Sequence, residues 1–526
     1  MPSHVNPGNI AFQFSLNSEI YVDKSMLISY TNKLINTRER FVCVSRPRRF
    51  GKTMAADMLM AYYSIGCSSG DMFNGLKIQE DPYFEKYLNK YNVIHLNMQN
   101  YLSETDSMDE MLELLEEDLI EELEDYYPDI KMPKKKSLQR VLGRVFDITE
   151  IQFIFIIDEW DCIFRVHRND YDAQKQYLDF LRNLLKDQVY VALAYMTGIL
   201  PIKKYGEHSA LNMFAEFSMT NQRDLAEYTG FTECEVAKLC EKFNMSFEKT
   251  KQWYDGYNVR GFSIYNPRSV IMSMTGHDYD NYWTQTETYE ALKVYIQMDY
   301  DGLKSSVVQM IAGEKVMINP AKFQNDMTTF SSADDVLTLL VHLGYLTFDF
   351  DTKEVWIPNN EIRQEFINCI EDGGWEPVMD AIRESGQLLE ATLAGDEATV
   401  ARQIEKIHQD NASILQYNDE NSLSCVIALA YYSARRSYSV YRELPAGKGF
   451  ADLVFIPGRS CEAPAMVVEL KWNHSAEAAL AQIRDKNYMD GLKGYIGEII
   501  LVGIDYNKES KAHTCQIERI RKEYEG

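Results

Sequence analysis

The sequence predicts an α/β chain of several domains, with a parallel-sheet core in its N-terminal half and a smaller α/β domain at its C-terminal end. Three observations predict it. A short apolar strand, Phe41 to Val44, runs into Ser45-Arg46-Pro47-Arg48-Arg49-Phe50-Gly51-Lys52-Thr53 and then into a helix from Met54 to Tyr63. A near-continuous apolar run, Gln152 to Ile157, ends in Asp158-Glu159-Trp160-Asp161. Near the C-terminus one strand carries Asp452 and the next carries Glu469-Leu470-Lys471, with sixteen residues between Asp452 and Glu469.

Composition bounds these expectations. The 526 residues suit three to four domains, at ~100–200 residues each. Hydrophobic residues at 45% and charged residues at 25% are globular values and exclude wholesale disorder. No run approaches ~18 apolar residues, and the start of the chain has neither a basic stretch nor an apolar one, so no membrane span and no signal peptide are expected. Nine cysteines without a CxxC suit reduced thiols in a cytoplasmic protein. His513 and Cys515 stand close together, but two groups do not make a zinc site. The net charge of -25 opposes nucleic-acid binding by the chain as a whole. Such binding needs a local basic patch, which is workable because surface charges more than ~10 Å apart are screened. Much of the acid excess lies between Glu104 and Asp125, and it reads as one solvated helix face rather than a metal site.

The order strand, loop, helix around Gly51 is the context a phosphate-binding P-loop requires. Gly51 lets the backbone approach an anion, which backbone N–H groups and the positive end of the next helix then face. Lys52 would reach the β- and γ-phosphates, and the Thr53 hydroxyl would ligate Mg²⁺. The residues expected to bind ATP are therefore Arg46, Pro47, Arg48, Arg49, Phe50, Gly51, Lys52 and Thr53. The motif G-x-x-x-x-G-K-[ST] would place its first glycine where Arg46 stands, and taken alone the segment also fits a basic surface turn. The second run favours the P-loop, because an apolar buried strand ending in Asp-Glu is the Walker B pattern. Asp158 would hold Mg²⁺ and Glu159 would orient or activate water; a helix N-cap is the plainer alternative. The strand from Tyr190 to Gly198 ends in Thr197, a candidate contact to the γ-phosphate, or else a turn-forming Thr-Gly.

The middle of the chain is helical, with aromatic turns from Leu225 to Trp283 that suit a lid. Between Ala333 and Glu361 a helix and a hairpin give a winged-helix outline without a basic recognition helix. Glu376 to Asp410 reads as a two-helix spacer. At the C-terminal end, strand alternation puts Glu469 and Lys471 on one face. Asp452 on the paired strand can join them. That makes two carboxylates for Mg²⁺ and one ammonium to orient water or stabilise the transition state. The plainer alternative is a surface ion pair of little energetic value. The expected divisions are 1–224, the P-loop core; 225–300, the lid; 301–375, the winged region; 376–410, the spacer; and 411–526, the nuclease-like domain.

Several phrases together carry a resemblance. They are Tyr21-Val22-Asp23-Lys24, the loop from Ser45 to Thr53, Asp158-Glu159-Trp160-Asp161, Thr197-Gly198-Ile199-Leu200, Glu227 to Thr232, Trp253-Tyr254-Asp255-Gly256-Tyr257 and Tyr265-Asn266-Pro267. The chain resembles, over nearly its whole length, the bacterial AAA-ATPase-like family whose members often carry a C-terminal PD-(D/E)XK nuclease domain. The resemblance makes an arginine at position 46 usual and implies ATP binding. It also implies that Gln482 and Tyr488 belong with Asp452, Glu469 and Lys471, and that Glu420 matches an extra carboxylate of some members. The expected function is ATP binding and hydrolysis that regulates Mg²⁺-dependent cleavage of nucleic acid, DNA foremost. The alternative is a signalling or defence ATPase whose nucleotide state controls homo-oligomeric assembly, with a dormant nuclease fold. An arginine finger stays open among Arg165, Arg168, Arg182 and Arg223.

Overall fold

The structure is a computed structural model that describes residues 4–202, 211–221, 223–259, 262–283, 288–298, 300–324, 327–371, 375–411, 420–446, 449–458, 461–486, 488, 492 and 495–522. The chain forms two compact units, one of Met1–Glu287 with Met317–Arg363 and one of Thr288–Val316 with Gln364–Gly526.

The first unit is built on strands β1 (Phe41–Ser45), β2 (Asn92–Asn97), β3 (Phe153–Asp158), β4 (Val191–Gly198) and β5 (Ala215–Phe217). They form one parallel sheet in the order β2-β3-β4-β1-β5. Every residue of β1, β3 and β4 is buried, so both faces of the central strands are covered. This is why those strands read as unbroken apolar runs. The helix Lys52–Tyr63 packs Ala55, Ala56, Leu59 and Tyr63 into a core with Val42, Val44, Ile154 and Ile156. Parallel strands bring all their carboxyl ends to one edge, where ligands of such sheets bind. Ser45 at the end of β1 therefore lies in register with Gly198 at the end of β4.

Beyond the sheet, β6 (Phe231–Thr232), β7 (Tyr257–Val259) and β8 (Phe262–Tyr265) make a small antiparallel sheet. Helices Glu233–Phe243, Phe247–Tyr254 and Pro267–Gly276 pack beside it around Val236, Tyr254, Tyr265 and Val270. Thr232 and Glu235 form a reciprocal capping box at the first of these helices. Strand β9 (Val316–Met317) lies where the chain returns from the second unit. The helix Ala333–Leu343 follows, then Gly344 at φ +87 and the hairpin of β10 (Thr347–Phe348) and β11 (Glu354–Trp356).

The second unit carries β12 (Tyr438–Ala446), β13 (Gly449–Pro457), β14 (Ala465–Trp472), β15 (Gly497–Asn507) and β16 (Ala512–Lys522), in that order across one sheet. Only β14 and β15 run parallel. Their crossover is the helix Ala476–Asp485, which packs back on both strands. The helices Glu376–Ala394 and Glu397–Asn411 are packed in this unit against the helix Glu420–Ala430, and the second of them also lies on β16. Residues 376–410, read from sequence as a spacer, are thus part of the packed body. The helix Leu303–Ala312 joins it as well, contacting the helix Glu420–Ala430. No helix among the described residues is long and apolar enough to cross a membrane.

One close approach fixes the geometry of the second unit. A Cβ placed on Gly503 of β15 would lie 2.3 Å from the Ala476 carbonyl oxygen and 3.1 Å from Ala479 Cβ. Only a glycine lets the crossover helix sit this low on the sheet. Gly503→Ala is expected to destabilise the second unit by about 1–3 kcal/mol through overpacking. Urea unfolding followed by a fluorophore in that unit reads this out; an unchanged midpoint would refute it.

Candidate functional site

The nucleotide-site candidates converge at the carboxyl edge of the first sheet. Gly51 adopts φ +83 and stands at the N-cap of Lys52–Tyr63. Arg49, two residues earlier, also sits at positive φ, +70. Lys52 is 5% exposed, and its Nζ donates to the Arg46 and Pro47 carbonyl oxygens, each at 3.0 Å. Burial lowers its pKa, while Glu159 and Asp158 oppose that shift. Thr53 Oγ1 donates to Asp158 Oδ2 at 2.8 Å, and Thr197 Oγ1 donates to Asp158 Oδ1. The Glu159 backbone N–H adds a third bond to Asp158, at 3.0 Å. Lys52, Thr53, Asp158, Glu159 and Thr197 therefore lie together at this edge.

The rest of the loop turns inward. Arg46 is 1% exposed; its Nε donates to Thr229 Oγ1 at 2.9 Å, and its Nη1 donates to the Ser45 and Phe217 carbonyls, each at 3.0 Å. Burial pulls its pKa down to about 10. The Phe50 ring is buried edge-on against Tyr257. Pro47 lies under Gly344, whose Cβ would come within 2.7 Å of it. Arg49 Nη1 donates to the Tyr282 carbonyl at 2.8 Å. Arg46 and Phe50 thus act on the loop from inside, while Arg48 is half-buried.

Sequence reading missed the role of Asp161 and left Arg165 as one of four candidate arginine fingers. Asp161 is fully buried, and its Oδ2 accepts the backbone N–H groups of Ile199 and Leu200 at 3.1 and 2.9 Å. It ties the turn after β3 to the residues that follow β4. Gly198 is what makes room, since a Cβ there would lie 2.6 Å from the Trp160 ring and 2.7 Å from Asp161 Oδ1. Arg165 pairs with Glu159 and lies 3.3 Å from Asp161. Of the other finger candidates, Arg168 and Arg182 are exposed, and the Arg223 side chain lies outside the described residues.

The second site forms where β13 meets β14. Asp452 Oδ2 accepts the Leu470 N–H at 2.7 Å, which holds it beside Glu469. Lys471 Nζ lies 3.1 Å from Glu469 Oε1, and Gln482 Nε2 donates to the same oxygen. Gln482 also reaches the Tyr488 hydroxyl at 3.0 Å. Glu469 is 1% exposed, and its Oε2 is buried with no hydrogen-bond partner among the described residues. Burial, reinforced by the Asp452 charge and opposed by Lys471, pushes its pKa up to about 7. An orphaned carboxylate oxygen next to a second carboxylate fits a divalent cation. Opposite Asp452 the ladder between β12 and β13 is interrupted at Glu443, which has φ +45. Such irregularities re-aim side chains next to functional sites. Glu420 begins the helix Glu420–Ala430, and its side chain lies outside the described residues. His408 Nδ1 lies 2.9 Å from His513 Nε2. No cluster of three metal-ligating side chains from His, Cys, Asp and Glu occurs among the described residues.

Comparison with known proteins finds two family models on separate parts of the chain. A family model described as predicted AAA-ATPase matches residues 12–206, and one described as the PD-(D/E)XK nuclease superfamily matches residues 418–515. An uncharacterized protein in the vnfD 5' region of Azotobacter chroococcum mcd 1 is 23% identical over 516 residues, covering 94% of each chain. Among solved structures, Cdc6p from Pyrobaculum aerophilum aligns with 69% of this chain and 98% of its own, at 11% identity and a TM-score of 0.24. The Aeropyrum pernix ORC2 protein in its ADPNP-ADP complexes aligns with 69% of this chain and 97% of its own, at 9% identity and a TM-score of 0.31. Residues 12–206 are thus similar to the predicted AAA-ATPase family and residues 418–515 to the PD-(D/E)XK nuclease superfamily.

Proposed function

We propose that this protein binds and hydrolyses ATP, and that its nucleotide state regulates metal-dependent hydrolysis of nucleic-acid phosphodiester bonds, DNA foremost. The observation that carries the nuclease half is Glu469, buried beside Asp452 with one oxygen unpaired. A divalent cation held by Asp452 and Glu469 would supply Lewis acidity and lower the pKa of a bound water. The chain's own groups do the rest. Gln482 and Lys471 fix Glu469 through Oε1, leaving Oε2 for the cation. The Lys471 ammonium orients water and offsets charge as the water oxygen bonds to phosphorus. The phosphorus–oxygen ester bond then breaks, and a proton passes to the leaving oxygen.

The charge distribution supports a nucleic-acid substrate. Residues 411–526 hold fourteen Lys and Arg against fifteen Asp and Glu, so nearly all of the -25 lies elsewhere in the chain. Repulsion by the acidic segments is screened beyond about 10 Å. For the nucleotide half, Lys52 would exchange two carbonyl partners for phosphate oxygens. Thr53 and Asp158 would hold Mg²⁺, Glu159 would activate water and Thr197 would sense the γ-phosphate.

The test is cleavage of plasmid, single-stranded DNA and RNA with Mg²⁺ or Mn²⁺, with and without ATP. Asp452→Ala and Glu469→Ala are each expected to lose about 100-fold or more in rate. Lys52→Ala is expected to weaken nucleotide binding about tenfold or more and to remove any ATP dependence. A Glu469→Ala protein that cuts like the parent would refute the nuclease reading. Absence of cleavage together with an ATP-dependent change in particle size would favour control of assembly instead.

A pH test isolates Glu469. Its carboxyl titrates higher in the fold than in the unfolded chain, so the buried charge is a liability that grows as pH rises towards and through about 7. In metal-free protein, Glu469→Gln should be more stable than the parent by about 3 kcal/mol at pH 8. The gap should shrink towards pH 5 and narrow at pH 8 when Mg²⁺ is added. Chemical denaturation at both pH values measures it; a gap of equal size at both would show that the charge is not the cause.

A further inference from the structure

We propose that Arg165 is the positioning residue of the nucleotide site: it grips one oxygen of Glu159 so that the other faces the attacking water. The proposal rests on the hydrolytic reading above and assigns the group that sets its geometry.

Glu159 is constrained from three sides. Its backbone sits at φ +54, a left-handed conformation rare for a non-glycine residue and typical of sites where side-chain direction matters. Its N–H is tied to Asp158 Oδ1 at 3.0 Å. Its Oε2 accepts Arg165 Nη2. No hydrogen bond reaches Glu159 Oε1 among the described residues, and the side chain is a quarter exposed, 25%. One oxygen is held and the other opens towards solvent.

Arg165 is anchored in its turn. It is 11% exposed, and its Nε lies 3.3 Å from Asp161 Oδ2, an ion pair without a hydrogen bond. That same oxygen accepts the Ile199 and Leu200 N–H groups at 3.1 and 2.9 Å. A relay therefore runs from the end of β4 through Asp161 and Arg165 to Glu159. It links the strand that carries Thr197 to the carboxylate that would activate water. The guanidinium suits this because its planar, delocalised charge donates to Glu159 through Nη2 while Nε stays within ion-pair distance of Asp161, whereas a lysine offers one compact ammonium. The same commitment removes Arg165 from the candidates for a finger supplied to another subunit.

The test is a double-mutant cycle in the full chain with Arg165→Ala, Arg165→Lys, Glu159→Gln and the Arg165→Ala/Glu159→Gln double variant. ATPase kcat and KM are measured, together with the affinity for a fluorescent ATP analogue. Arg165→Ala is expected to lower kcat about tenfold or more with KM and analogue affinity within about threefold, and Arg165→Lys to recover only part of the loss. The double variant should be no slower than Glu159→Gln alone, because Arg165 acts only through Glu159. If Arg165→Ala does not purify as a folded protein, Arg165→Gln enters the same cycle. An equal further loss on the Glu159→Gln background, or lost analogue binding with kcat unchanged, would overturn the positioning role and leave a structural brace. A parent chain without ATP turnover would overturn the hydrolytic reading and this assignment together.

Discussion

Three segments far apart in the chain meet on the Asp158 carboxylate. Thr53 approaches from 105 residues upstream, Thr197 from 39 residues downstream, and the adjacent Glu159 N–H completes the set. The meeting is possible because parallel strands deliver their carboxyl ends to one edge. It is also required, because a carboxylate at 1% exposure is stable only if hydrogen bonds replace its lost water. Satisfying one buried charge thereby fixes the loop before the helix Lys52–Tyr63, β3 and β4 relative to one another. In the nucleotide cycle we propose, a cation and phosphates exchange for hydrogen bonds already in place. Lys52, held by two loop carbonyls, is in the same condition.

The second unit resolves its buried carboxylate differently. Asp452 is tied to the β14 backbone, but Glu469 has both of its donors on one oxygen and none on the other. The fold pays for this with a carboxyl whose pKa rises to about 7. A perturbed, half-satisfied acid framed by two strands and a crossover helix marks a candidate functional site on physical grounds. Gly503 underlies it: without the close approach it permits, the helix bearing Gln482 would stand off from β14 and Glu469 would lose its orienting partner.

What the sequence made legible was local. An apolar run ending in Asp-Glu, a Gly-Lys-Thr before a helix, and an acid and a lysine two apart on a strand are read within a few residues. The structure brings each of those groups to a strand end or sheet face. What stayed hidden was non-local. Asp161 looked like one more acid after Walker B, and its role lies in backbone partners 38 and 39 residues away. Arg165 was one of four equal arginines until its burial and partners were visible. The helices after Glu376 were legible as helices, but amphipathic periodicity does not say what a face packs against. Val378, Leu388, Val400 and Ile404 turn out to be buried in the second unit.

Arg46 shows how a departure from a motif can be physically sound. The missing glycine would provide freedom for a tight backbone path, yet in this loop the positive-φ positions are Arg49 and Gly51. The backbone at position 46 instead runs on from β1, with the Arg46 N–H bonded to the Gly198 carbonyl at 3.0 Å. A side chain is tolerated there because it points inward, where Thr229 and the Ser45 and Phe217 carbonyls accept from it. No carboxylate pairs with it among the described residues. A buried cation partnered only by neutral acceptors is costly in an empty protein. That cost falls when an anion binds nearby, because little water is present to screen the attraction. In the nucleotide-binding reading proposed above, the guanidinium at the base of the loop would therefore add fixed positive potential to that of the helix N-terminus. A glycine would give the loop its shape but not that charge.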